Sequence, residues 1–182
     1  MNKKGFSLIE LLAVIIIIGI VGTIGVAAVS GYIQDSRKSA FSDMAKLYVE
    51  KASEERAKDI LPHDIKDGEA ILLPLEKYKL EKNEDFGTPY GNMRLDYCYV
   101  IITNNNNNYN YYIFMLDDTD HAIVGVEYAD IGNESVIDGS DSANISKILN
   151  YKTLNGTSKL TVGGNIYKLK TQKGTYAVLI KE

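Results

Sequence analysis

Residues 11–34 carry no charged side chain. Within that stretch, residues 11–29 read LLAVIIIIGIVGTIGVAAV, and nothing there is more polar than Thr23. A helix apolar on every side needs apolar surroundings on every side, which the core of one small domain does not provide. At ~1.5 Å per residue, a helix over residues 6–29 would cover about 36 Å, enough for a hydrocarbon core of ~30 Å. Lys3 and Lys4 precede the run, and a positive flank of this kind stays on the cytoplasmic side. The first expectation is therefore a single-span chain whose remainder lies outside the membrane.

The rest of the composition narrows what that remainder does. The chain has 182 residues, 24% of them charged, and a formal net charge of -4. An acidic head without a basic face argues against direct nucleic-acid binding. One cysteine, Cys98, excludes an intramolecular disulfide framework. With that cysteine and two histidines as the main catalytic material, no enzyme and no cofactor are expected.

Glu10 does not suit a plain anchor. A carboxylate within an apolar span costs roughly 2.5–3.5 kcal/mol on insertion scales unless it is paired or near the interface. No cation follows Lys4 in the segment, so a partner must come from elsewhere. A free terminal amine, made by cleavage and carried by another copy, would serve. Two plainer readings compete. One is an ordinary anchor whose Glu10 snorkels to the interface. The other is a secretory signal with a small-residue cleavage site at Ala28, Val29 and Ser30, although the apolar run exceeds the ~7–15 residues usual there.

Lys3-Lys4-Gly5-Phe6-Ser7-Leu8-Ile9-Glu10-Leu11-Leu12 closely resembles the processing site of type IV prepilins and of type II secretion and competence pseudopilins. The resemblance implies cleavage between Gly5 and Phe6 by a prepilin peptidase, followed by N-methylation of Phe6. It also implies that Glu10 pairs with a neighbouring subunit's amino terminus during assembly. A buried charge is tolerable when an opposite charge meets it. The implied partners are other copies and other pilins, the peptidase, an assembly ATPase and platform machinery, and the membrane. The implied route runs from a single-pass precursor in the cytoplasmic membrane to an extracellular pilus or the cell surface, with adhesion, motility, DNA uptake or secretion as outputs. In such filaments this part of the helix melts locally, commonly near a proline. Ala27 stands where that proline often sits, and Gly19, Gly22 and Gly25 are the candidates to replace it. Ordinary close helix packing is the other use of such glycines.

The helix is predicted to continue. Phe41, Met44, Ala45, Tyr48, Val49 and Ala52 recur at spacings of three and four, one apolar stripe. Pro62 closes the pattern. The organisation expected is a leader (1–5), a membrane and filament-core helix (6–34), an amphipathic continuation (35–61) and a globular head (62–182). The fold class is α+β, a long amino-terminal helix packed on an antiparallel sheet, as in pilins. Residues 62–94 read as a connector with a short helix opening at Pro74. The passage Asp85-Phe86-Gly87-Thr88-Pro89-Tyr90-Gly91 is partly similar to the turn that leads into the sheet of many pseudopilins, with Phe86 replacing the first proline. Strands are expected at 95–103, 109–116, 122–128, 158–162, 165–170 and 175–180, with a short helix near 143–149. Five asparagines, 104–108, form a hairpin connector, and Gly163-Gly164 is a second hairpin signal.

Few residues in the head suggest chemistry. Asp117, Asp118 and Asp120, beside His121, are a weak candidate for a hard cation, lacking the spacing of a calcium loop. Asp138 and Asp141 are weaker still. Cys98 is expected to be buried and inert, and His63 to be solvated. Three Asn-x-Ser/Thr sequons begin at Asn133, Asn144 and Asn155. The leading expectation is a structural subunit of a type IV pilus or pilin-like filament. The alternative is a monomeric, membrane-tethered extracellular binding or sensor domain, and a secreted enzyme ranks last.

Overall fold

A computed structural model describes residues 7–78 and 86–182, and gives the backbone alone for residues 24–28. The chain divides into two compact units, Met1–Arg37 and Lys38–Glu182. Helix α1 (Leu8–Ala57) begins in the first and ends in the second. In the first unit its apolar side chains, from Leu8 through Val21, are exposed. Among the described residues no helix is long and apolar enough to cross a membrane; the described side chains of the apolar run stop at Thr23 and resume at Val29.

In the second unit α1 buries the expected stripe. Phe41, Ala45, Tyr48, Val49 and Ala52 are almost wholly enclosed, and Met44 packs against them. The helix ends in a Schellman motif: the Ile60 N–H donates to the Glu55 carbonyl and the Asp59 N–H to the Arg56 carbonyl, both at 3.0 Å. Asp59 occupies the left-handed position (φ 55°) where glycine is usual.

The sheet of the second unit has seven strands: β1 (Glu69–Pro74), β2 (Tyr99–Asn105), β3 (Asn108–Leu116), β4 (Ala122–Glu127), β5 (Lys159–Val162), β6 (Asn165–Lys173) and β7 (Tyr176–Lys181). Their order is β4-β3-β2-β1-β7-β6-β5, and every neighbouring pair is antiparallel. The fold is thus α+β, with a sheet so curled that it is nearly a barrel. Residues alternate between two cores. Ile71, Leu73, Val100, Ile102, Ile113 and Met115 pack with α1. On the other face, Leu72, Tyr99, Ile101, Phe114 and Leu179 enclose Ile148, Tyr151 and Leu154 from the segment between β4 and β5.

Several expectations need correction. Residues 62–94 are more than a connector, because β1 lies at the sheet's centre. Pro74 ends that strand and caps a single 3₁₀ turn, Leu75–Lys77, in place of a longer helix. The strand expected from residue 95 starts at Tyr99, since Leu95–Tyr97 forms another 3₁₀ turn. The helix near 143–149 is α2 (Ser142–Ile145), only four residues long, with Asp141 capping it through the Asn144 N–H. The asparagine hairpin is tighter than expected: Asn105 pairs with Asn108 across a two-residue turn. Asn106 and Asn107 both take positive φ there, as type I′ geometry demands.

Candidate functional site

Of the processing pair, Gly5 and Phe6 lie outside the described residues. Just beyond them, the Glu10 carboxylate accepts the Ser7 N–H at 2.8 Å, and the Ser7 hydroxyl accepts the Glu10 N–H at 3.3 Å. This is a capping box, in which two backbone donors at a helix start are satisfied reciprocally. Its signature, Ser7-Leu8-Ile9-Glu10, stands in the sequence. Helix α1 passes Gly19, Gly22 and Gly25 without a break. A Cβ at Gly19 or Gly22 would have no neighbour within 4 Å.

The acidic cluster between β3 and β4 is brought together around one residue. Asp117 is fully buried. Its Oδ1 accepts the N–H groups of Thr119 and His121, both at 2.9 Å, and the Thr119 hydroxyl at 2.8 Å. Its Oδ2 accepts the Thr88 hydroxyl at 3.0 Å. Asp118 faces the other way and accepts the Asn92 N–H at 2.9 Å, which holds its carboxyl below the usual range. Asp120, at φ 61°, lies 3.6 Å from an Arg94 nitrogen. The three carboxylates thus serve three separate structural contacts. Among the described residues no three His, Cys, Asp or Glu side chains are grouped to hold a metal ion.

That buried carboxylate ties two loops to the helix. Thr88 donates to Asp117 while accepting the Tyr90 and Gly91 N–H groups. The Tyr90 ring stacks on His121 with centroids 3.6 Å apart and meets Phe41 of α1 edge-on at 6.0 Å. A Cβ at Gly91 would stand 2.0 Å from an Asp118 carboxylate oxygen, so a larger residue there would displace the Asp118 side chain from its bond to Asn92.

Residues 1–26 carry the prokaryotic N-terminal methylation motif. This is the class III signal peptide of type IV pilins, and it fits a membrane-anchored precursor that is exported. The match covers the processing pair, Glu10 and all three candidate glycines. No curated protein sequence and no solved structure matches the chain. The chain thus carries the amino-terminal methylation segment found in pilin-like precursors, joined to a head whose fold stands on its own geometry.

One buried ionic group has no counterpart in the sequence expectations. Glu69, at the start of β1, receives Lys170 Nζ at 2.5 Å, the Lys66 N–H at 3.2 Å and His63 Nε2 at 3.1 Å. The Lys170 bond chiefly, with help from His63 and Lys66 and against the effect of burial, lowers the Glu69 pKa to about 2. His63 is therefore a half-buried partner rather than a solvated loop residue. No spacing rule would have found this group, because β1 itself went unread. Cys98 is buried as expected. Its thiol lies 3.3 Å from both the Arg94 and Leu116 carbonyls, and burial pushes its pKa up to about 12, which makes it a poor nucleophile.

Proposed function

We propose that this chain is a structural subunit of a type IV pilus or pilin-like filament, with no catalytic role of its own. The precursor sits in the cytoplasmic membrane through its apolar amino-terminal helix. A prepilin peptidase cuts between Gly5 and Phe6 and methylates Phe6. Assembly by an ATPase and platform machinery then draws the helix from lipid into a bundle with other copies, leaving the head outside. Glu10 sets the register by meeting a neighbour's terminal amine. The observation that carries this reading is the methylation motif running directly into an uncharged stretch, residues 11–34. Such a stretch is stable in lipid or in a helical bundle, and the negative charge of the carboxylate at its start is offset there by an arriving cation.

The capping box favours a second reading. Glu10 already has a local structural role that needs no second copy. A monomeric, tethered binding or sensor domain would keep the helix and that cap without polymerising. Mass spectrometry of the amino-terminal peptide from native cells tests the first reading. A peptide starting at Phe6 with one added methyl is the expected result. A start at Met1 or Gly31 would remove it.

A further inference from the structure

The curled sheet ends at β4 on one side and at β5 on the other. Both ends lie on one cleft of about 710 Å³, lined by Val124 and Val126 of β4 and by Lys159 and Thr161 of β5. The curl brings β3 against the β5–β6 turn as well. Gly163, at φ 54°, has its Cβ position 2.3 Å from the Tyr112 hydroxyl, so only glycine fits there.

Topology decides what this cleft can hold. Because all six pairings of the seven strands are antiparallel, β4 and β5 run in the same direction. They cannot pair with each other in the pattern used throughout the sheet. One added strand, running opposite to both, would bridge the open parts of the two edges in the same antiparallel pattern.

The backbone is turned to receive such a strand. On β4, the Ala122 peptide groups point away from β3 and are already taken by Ile137, with which they exchange two hydrogen bonds of 2.9 Å, so the open part of this edge begins beyond Ala122. Alternation turns Val124 the same way. On β5, the two-residue turn makes Val162 and Asn165 the closing hydrogen-bonded pair. Leu160 and Val162 therefore bond to β6, and Lys159 and Thr161 face outward. Among the described residues, no backbone group outside the sheet pairs with Val124, Lys159 or Thr161.

The geometry points to a docking slot between β4 and β5 for an extended strand of a partner polypeptide, antiparallel to both edges. This assignment goes beyond the filament reading and does not depend on it. The cleft's side chains define the partner's chemistry. Phe114 and Leu149 give the inner wall an apolar surface. Lys147 and Lys159 stand on the lining, where Glu134 is the lone acid; Lys159 also holds Glu182 at 3.0 Å. The fitting strand alternates apolar residues, directed inward, with outward residues that include carboxylates. Main-chain bonds to both edges supply affinity, and the alternating side chains supply selectivity.

The test uses the full-length protein in detergent micelles and an acetylated, amidated heptapeptide, Thr-Val-Asp-Val-Thr-Val-Asp. Hydrogen exchange at Val124, Lys159 and Thr161 should slow by about tenfold or more with the peptide, while central β1 stays unchanged. A peptide with proline in place of the first two valines should give no protection. In the protein, T161P removes an outward N–H that β6 does not use, and it should abolish protection on both edges. Unchanged exchange at millimolar peptide, slowing at one edge alone, or equal slowing with the proline peptide would each overturn the slot.

Discussion

Ser7 and Glu10 satisfy one another across the first turn of α1, carboxylate to N–H at 2.8 Å and N–H to hydroxyl at 3.3 Å. The arrangement gives Glu10 two separable properties, a hydrogen-bond acceptor for the cap and a negative charge for a neighbour. Glu10→Gln keeps the first and removes the second, because glutamine also completes a capping box. Glu10→Ala removes both, and Ser7→Ala removes the Ser7 acceptor at a cost of about 1 kcal/mol of helix stability. If charge pairing drives assembly, Glu10→Gln and Glu10→Ala should both be cleaved and methylated yet yield few filaments in sheared-cell fractions, while Ser7→Ala assembles. Normal filament yield from Glu10→Gln would assign the glutamate's role to the cap.

Glu69 predicts how the head responds to acid. Its folded pKa is lowered from 4.5 to about 2, mainly by Lys170. A carboxylate depressed on folding contributes stability that is fully present above its unfolded value and is lost as pH falls. The melting temperature should therefore drop between about pH 4.5 and pH 2, and Glu69→Gln should flatten that part of the profile. Lys170, whose side chain is 46% exposed against 5% for Glu69, is the removable partner. Lys170→Ala leaves His63 and the Lys66 N–H in place and should cost about 1–3 kcal/mol in denaturant melts.

How legible these features were in the sequence depended on whether their signal was local. The helix stripe through Phe41, Ala45, Tyr48 and Val49 was readable because a half-buried helix writes its period into the chain. Strands β3 and β4 were readable from their β-branched and aromatic content between turn signals. Strand β1 was not, because it lies at the centre of the sheet with both faces covered, so Ala70-Ile71-Leu72-Leu73 shows no alternation. The consequences of β1 were hidden with it, including the partner of His63 and the curl that brings β4 and β5 to one cleft. The acidic cluster was found as residue types, but its function as a buried hydrogen-bond hub depends on Thr88, twenty-nine residues away in sequence.

The helix end offers a stabilising substitution. Asp59 holds φ 55° at the position where the Schellman motif favours glycine, with both of that motif's hydrogen bonds already made. An L-residue with a Cβ is strained in this region, although aspartate tolerates it better than most. Asp59→Gly should raise head stability by about 0.5–1 kcal/mol. Chemical denaturation of the purified protein would show a higher midpoint with an unchanged slope. A lower midpoint would mean that the aspartate side chain contributes more than its backbone costs.

Asp117 should behave as a structural hub rather than a cation ligand. Four hydrogen-bond donors converge on its two oxygens, and no part of it reaches solvent. Asp117→Ala leaves those donors unpaired and frees the loop that carries Tyr90 from its tie to the β3–β4 turn. The cost should be about 3 kcal/mol or more, the range expected when several buried donors lose their shared acceptor. Asp118→Asn, at an exposed position that accepts from Asn92, should change stability by less than about 1 kcal/mol. Millimolar calcium should leave the melting temperature of the wild-type protein unchanged, because a cation would have to displace the Thr88, Thr119 and His121 donors from Asp117 before it could bind. A calcium-dependent rise in melting temperature that Asp117→Ala abolishes would show instead that the loop rearranges around an ion.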